Sequence, residues 1–331
     1  MRSNLYIQKK SVTIKMKSKI KSLLFEYTKN ARITTKELGK KIGASQQSAF
    51  YLLANLKKKK MIESLSTVVD PVKFGHLAVL VGINLIKTDP ETKKEILDEL
   101  KTIPAIVGIE ECKEGIDFII EYITPTLSAF SRTNAELINR FSKKMRVVFV
   151  YPVITVHEYN KNYLIQKFDF SDKILCEDNE RVEITEQEEK ILRELIKSPD
   201  EKLVDIAEST LIPIKSVITI KRDLEKRNII KGYTAIINNA KLDIHRQIIL
   251  LKFFGEGILE IDKFEDYAKN NRNIVKLFRL IGEYQIAIIV EDVDQTNIIK
   301  DIRVSFPIDN YRIMKSERIH KKFYLPLAEN D

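Results

Sequence analysis

Cysteine is nearly missing from this chain. Cys112 and Cys176 are the only two in 331 residues, and they lie far apart. They build no disulfide framework and no Cys-x-x-Cys metal pair. Histidine is scarce as well. His76, His157, His245 and His320 show no metal-ligand spacing, so each reads as a structural residue. No Gly-rich loop of the phosphate-binding kind occurs. The longest apolar runs, Leu77–Ile86 and Ile286–Val290, are strand-sized and well short of a bilayer span. No N-terminal stretch joins a basic flank, an apolar core and a small-residue cleavage site. These absences lead to the expectation of a cytoplasmic protein with no membrane contact, no cofactor, no metal and no enzymatic activity.

What is present can fill sizeable cores. Hydrophobic residues make up 44% of the chain and charged ones 31%, over a length that suits two to four domains. The net charge of +9 is unevenly spread. Between Met1 and Ile62 sixteen Lys/Arg face only Glu26 and Glu37, a local charge of +14 that leaves the remainder near −5. A cationic end on a mildly anionic body points to an acidic polymer as partner; a solvated Lys-rich surface is the plain alternative.

The chain also contains itself twice. An offset of 168 residues sets Leu56-Lys57-Lys58-Lys59-Lys60-Met61-Ile62 on Leu224-Glu225-Lys226-Arg227-Asn228-Ile229-Ile230. The same offset sets Asp117-Phe118-Ile119-Ile120 on Gln285-Ile286-Ala287-Ile288. Identities are few, but the apolar pattern holds, and repeats of this kind decide the whole architecture.

Each copy opens with three helical signals. In the first, Met16, Ile20, Leu23, Leu24 and Tyr27 recur at helical spacing. Thr34-Thr35-Lys36-Glu37 then has the form of a capping box. Ser45 can cap a third helix with Ala49, Leu52, Leu53 and Leu56 on its buried stripe, followed by a wing strand over Ile62–Asp70. In the second copy Thr185-Glu186-Gln187-Glu188 is the capping box, Pro213 opens the third helix and Ile229–Asn238 is the wing. Three short helices with a tight turn before the third form a helix-turn-helix. The remainder of each copy reads strand, helix, strand, strand, helix, strand, the order of a ferredoxin-like sandwich. The expected fold is therefore α+β, with winged helix-turn-helix and ferredoxin-like domains alternating. The segments are 1–65, 66–170, a polar linker at 171–182, then 183–238 and 239–331. Helices can cover only one face of each sheet, and the matching face of the other copy is the cheapest cover for the second.

The combined pattern resembles the leucine-responsive regulatory protein/asparagine synthase regulator (Lrp/AsnC) family. Asn228-Ile229-Ile230-Lys231-Gly232-Tyr233-Thr234-Ala235-Ile236-Ile237-Asn238 is similar to its wing signature. Val69-Asp70-Pro71-Val72-Lys73-Phe74-Gly75 resembles its lead into the effector domain, and Ile281-Gly282-Glu283-Tyr284-Gln285 its Gly-Asp-Tyr-Asp turn. The resemblance implies a transcription regulator that binds double-stranded DNA and pairs through effector domains. It also implies an amino acid or similar small effector near that interface, and higher homo-oligomers. Here both paired units would sit in one chain. Gly115, Asp117, Gly282, Tyr284 and Gln285 take the places of the effector turns. The family's recognition-helix arginines are missing, with Tyr51 and Leu52 in their place and Thr219 and Ile220 in copy two.

The third helix of copy one is the candidate reader. Ser45 to Lys59 would span about 22 Å, enough to lie along a major groove. Its open face carries Ser45, Gln46, Gln47, Ser48, Phe50, Tyr51 and Asn55, groups suited to adenine edges and thymine methyls. Lys57, Lys58, Lys59 and Lys60, with the arm lysines Lys15, Lys17 and Lys19, would hold phosphates, which position without specifying sequence. In copy two, ten Lys/Arg face eleven acids between Glu183 and Gly232. Lys215, Lys221, Arg222, Lys226 and Arg227 make it a weaker second DNA lobe or a protein-contact surface. Two rival readings stand beside the regulator. One is a siroheme decarboxylase, whose subunits resemble the same family, although the stretches Glu111–Tyr122 and Leu280–Glu291 hold no histidine. The other is a protein-interaction adaptor, against which the +14 end argues.

Overall fold

The computed structural model describes residues 18–86, 89–177, 180–255, 258–294 and 296–326. A helix α1 occupies 18–29. It is followed by α2 (Thr35–Lys41), α3 (Gln46–Lys58) and β1 (Ile62–Val69). Then come β2 (Leu77–Leu85), α4 (Pro90–Thr102), β3 (Ile106–Glu114), β4 (Phe118–Thr124), α5 (Leu127–Arg140), β5 (Met145–Tyr159) and β6 (Asp172–Leu175). The second copy gives α6 (Glu186–Lys197), α7 (Leu203–Thr210), α8 (Ile214–Lys226), β7 (Ile230–Ile237) and β8 (His245–Phe253). It ends with α9 (Ile258–Asn270), β9 (Ile274–Leu280), β10 (Ile286–Asp292), α10 (Ile298–Ser305) and β11 (Ile308–Lys322).

Local chemistry sets the helix starts. Thr185 accepts from the Glu188 amide while the Glu188 carboxylate accepts from the Thr185 amide, a complete capping box. At Thr34 the side chain accepts from the Glu37 amide. Ser45 caps α3 by accepting from the Ser48 amide at 3.1 Å. Of the stripe expected to be buried on α3, Ala49 and Leu56 are buried, while Leu52 and Leu53 are only partly covered. Part of the expected linker is not irregular: Asp172–Leu175 forms β6, which pairs antiparallel with the end of β5. Ile174 and Leu175 supply the apolar side chains that make this addition favourable.

The strands build two sheets. The wings form one of them between the copies, with β1 antiparallel to β7 and Leu65 opposite Ala235. The other runs β2-β4-β3-β11-β8-β10-β9-β5-β6, and pairing of β2 with β5 closes its first eight strands into a ring. The joints between copies lie in the two longest strands. β5 pairs with β2 up to Val153 and with β9 from Val153 to Glu158. β11 pairs with β8 up to Lys315 and with β3 from Lys315 to Lys322.

Alternation along each strand divides side chains between an outer and an inner face. On β2, Val79, Val81, Ile83 and Leu85 pack outward under α4 and α5, while Ala78 and Leu80 turn inward. On β10, Ile286, Ile288 and Val290 face α9 and α10, while Ala287 and Ile289 turn inward. The apolar strand runs are thus buried on both faces.

Charged groups break the inner face, and most of them meet across the two copies. The Arg246 guanidinium lies 2.7 Å from Glu110 and 2.5 Å from Glu291. Glu291 also takes Lys161 as partner, and Tyr163 donates to it at 2.7 Å. Lys276 lies 3.2 Å from Glu121 and 3.4 Å from Glu158, and Lys322 lies 2.8 Å from Glu121. Copy one supplies three of the four carboxylates, and copy two supplies Arg246, Lys276 and Lys322. Burial works against the charge on Glu121, but Lys276 and Lys322 outweigh it and hold its carboxyl down at about 2. Burial opposes the charges of Glu158 and Glu291 too, yet neighbouring cations keep both below the usual carboxylate range.

Two outcomes are expected. Arg246→Met leaves Glu110 buried without a cation and Glu291 with Lys161 alone, and lowers stability by about 3–5 kcal/mol. Adding Glu110→Gln recovers part of that loss, read as the denaturant midpoint, while Glu291 keeps Lys161. The second concerns acid. A carboxylate whose folded pKa is depressed stabilises the fold above its unfolded value and loses that contribution as pH falls through the folded one. The melting temperature is therefore expected to fall steeply between about pH 4.3, the unfolded glutamate value, and about 2. Glu121→Gln starts less stable and shows a shallower fall over that window.

Candidate nucleic-acid interface and the barrel interior

The polar face of α3 stands clear of the protein. Gln46, Gln47, Ser48, Phe50, Tyr51 and Asn55 are exposed, Phe50 at 55% and Tyr51 at 62%. The two rings meet edge to face at 5.7 Å. Ser45 and Ser48 are joined side chain to side chain at 2.9 Å within the cap, so Ser45 is engaged in starting the helix. Lys58, Lys59 and Lys60 are exposed at the other end. Lys57 reaches instead to Asp200 of the second lobe at 2.9 Å and lies over the Tyr27 ring. Burial works to lower the Lys57 pKa, but Asp200 and Tyr27 outweigh it and raise it. Lys19 is exposed on α1, and Lys15 and Lys17 lie outside the described residues.

The two helical lobes are fixed to one another. Arg32 donates to the Pro199 and Glu201 carbonyls at 2.7 and 2.9 Å. The Ala31 amide donates to the Tyr233 carbonyl, and Thr234 donates to the Thr28 carbonyl at 2.7 Å. The shared β1–β7 sheet lies behind these contacts, and Thr67 of β1 donates to the Leu195 carbonyl of the other lobe.

The face of lobe two differs. Lys215, Arg222 and Lys226 are exposed. Lys221 pairs with Glu225 at 2.5 Å, and Arg227 pairs with Glu188 and Asp223 at 2.5 and 2.9 Å. Around the turn before α8, Ile214 and above all Leu211, 91% exposed, present apolar groups, and Val204 is exposed at the start of α7.

The two effector turns each pack at a seam between the copies. Gly115 has φ +88, and a Cβ there would lie 2.7 Å from the Ile313 carbonyl oxygen on β11. Gly282 has φ +148, and its Cβ would lie 2.5 Å from the Tyr151 ring on β5. Each turn therefore packs against the long strand of the other copy. Asp117 accepts from the Leu85 amide at 2.8 Å, and Gln285 accepts from the Phe253 amide at 3.0 Å. Tyr284 is buried, edge-on to Tyr151. None of these five residues lines the cavity inside the barrel, which is about 120 Å³ in volume.

Sequence reasoning missed the charged barrel interior. Its signal was present in Glu121 and Lys276, which interrupt apolar strands, while Glu110 and Glu291 stand where their strands turn polar. Ionisable groups at such positions must pair or lose their charge. Among the described residues no cluster of metal-ligating side chains occurs, and no helix is long and apolar enough to cross a membrane.

No family model matches the chain. A helix-turn-helix transcriptional regulator of Pyrococcus abyssi is 31% identical over 136 residues, 36% of this chain and 80% of that protein. Another, from Pyrococcus horikoshii, is 38% identical over 73 residues, 22% of this chain, and the match spans only 47% of that protein. Among solved structures, the siroheme decarboxylase NirDL matches over 94% of both chains with a TM-score of 0.59 and 12% identity. That likeness corrects one expectation. The exclusion of an enzyme does not stand, because the fold shared over nearly the whole chain is that of one. The exclusion leaned on two turns that lack a histidine, whereas the ionisable groups of both copies converge elsewhere, in the barrel interior.

Proposed function

The chain belongs to the Lrp/AsnC family of helix-turn-helix transcriptional regulators, and from that premise we propose that it regulates transcription in the cytoplasm by binding double-stranded DNA through lobe one. The observation that carries this reading is the capped helix α3, with an exposed Gln/Tyr/Asn face at one end and a lysine run at the other. Gln46, Gln47, Tyr51 and Asn55 read base edges, and amide side chains favour adenine. Lys58, Lys59, Lys60 and Lys19 hold phosphates, joined by Lys57 when Asp200 releases it and by Lys15 and Lys17 of the arm. Lobe two, with Lys221 and Arg227 already paired, contributes less to DNA affinity and more to holding α3 in place. The effector domains pair within the chain, so one molecule carries two unlike lobes, and larger homo-oligomers form through other surfaces. A small-molecule effector, an amino acid or similar compound, acts through the paired effector domains.

The likeness to the siroheme decarboxylase NirDL over 94% of both chains favours a second reading, in which the chain takes a tetrapyrrole. Titration with siroheme, followed in the visible spectrum, decides it: a saturable shift of the absorbance bands supports tetrapyrrole binding, and an unchanged spectrum removes it.

Two measurements test the first reading. Replacing Lys57, Lys58, Lys59 and Lys60 with Gln is expected to weaken binding to every DNA sequence. It also flattens the plot of log affinity against log salt by about 0.9 for each phosphate no longer neutralised. An unchanged slope would show that these lysines touch no phosphate. Replacing Gln46, Gln47 and Tyr51 with Ala is expected to lower the ratio of specific to non-specific affinity by about 1–3 kcal/mol for each bidentate pair removed. Selection from random DNA that returns one motif for parent and variant alike would place base reading on another element.

A further inference from the structure

The two seams of the ring are finished differently. Past Val153, β5 carries β9 on one edge and β6 on the other. Past Lys315, β11 carries β3 on one edge, and among the described residues no strand pairs with the other. A cleft of about 1080 Å³ opens along that edge, walled by residues 315–319 of β11. Copy one shows how such a groove is filled. There Lys231 donates to the Ile174 carbonyl, and the Cys176 amide donates to Asp70 at 3.1 Å. The Val182 amide donates to the Lys73 carbonyl at 2.9 Å, and the Arg181 side chain lies across Gly75. The offset of 168 residues matches Lys231, Asp70, Lys73 and Gly75 with Glu63, Asn238, Lys241 and Asp243. All four line the cleft. It is the counterpart of the groove that holds segment 172–182.

We propose that this cleft binds an extended segment of a partner protein, added antiparallel to β11 as β6 is added to β5. An unpaired strand edge is a template for a further strand, and main-chain hydrogen bonds supply the affinity in this mode. Side chains of the wall set the chemistry of the partner. Leu175 of β6 is buried opposite Val156, and the cleft offers Ile244, Ile298, Ile313 and Ile319 to an apolar side chain. Gly75 and Asp243 share left-handed backbone, with φ +70 and +53. Gly75 leaves room for Arg181. Asp243 is exposed instead, and its carboxylate has no hydrogen-bond or ion-pair partner among the described residues. The partner segment therefore carries an apolar strand residue and, further on as Arg181 follows Leu175, an arginine that meets Asp243.

The test uses the full chain and a fluorescent synthetic peptide with the sequence of residues 171–182, serine replacing its cysteine. Saturable binding by anisotropy is expected, with amide exchange slowed over residues 316–322 and unchanged over 153–159. Aspartate in place of the peptide's leucine lowers affinity at least about tenfold, the scale of one buried leucine. Asp243→Asn, which tolerates the left-handed backbone, lowers it about two- to fivefold, the scale of an exposed ion pair. A peptide with glutamate for its arginine binds the parent less tightly and regains affinity with Asp243→Lys. Absence of saturable binding, equal binding by Asp243→Asn and parent, or protection over 153–159 in place of 316–322 overturns the proposal. Tighter binding by a chain ending at Pro326 would assign the cleft to residues 327–331 and overturn it as well.

Discussion

Closure of the strand ring between the copies is the constraint on which everything else depends. Each ferredoxin-like half has helices on one sheet face only, and the inner strands are apolar enough that a wet second face would be costly. β5 and β11 solve this by running past their own sheets and pairing with β9 and β3 of the other copy. Once those hydrogen bonds form, the two inner faces enclose one interior. The wing sheet is then formed by one strand from each copy, and the helical lobes are held at a fixed distance.

The closed interior then imposes an electrostatic condition. Glu110, Glu121 and Glu158 come from copy one, while Arg246, Lys276 and Lys322 come from copy two, with Lys161 and Glu291 as the reverse pair. Two copies of the first half would bury carboxylates against carboxylates, and two of the second would bury cations against cations. Like charges in a low-dielectric interior repel strongly, so the halves have diverged into complementary partners. The same divergence shows at the lobes. Lobe one has an open polar helix face, while lobe two pairs Lys221 and Arg227 internally and exposes Leu211 at its turn.

Asp200 shows how the unlike lobes are coupled. It belongs to lobe two, yet it holds Lys57 on α3 of lobe one. Arg32 fastens the same loop from the other side through two carbonyls. The position of the lobe-two loop thus bears on whether the Lys57 ammonium is engaged within the protein.

The local elements were legible in the sequence because their causes are local. Helical spacing of Leu23, Leu24 and Tyr27, the caps at Thr34, Ser45 and Thr185, and the alternating apolar strands all act within a few residues. The offset of 168 residues exposed the duplication, since a core pattern survives when identities do not. The exposed face of α3 followed from the same periodicity. What the tertiary structure alone decided depends on contacts distant in the chain. Lys57 met Asp200, the effector-turn glycines went to the seams against Tyr151 and Ile313, and Asp172–Leu175 became a strand because the end of β5 was free to pair. Glu121 and Lys276 looked like interruptions in apolar strands, and only ring closure gave each its partner. Strand alternation in the sequence determines which groups face inward. The partner each one meets depends on a register between strands more than a hundred residues apart, which no local pattern encodes.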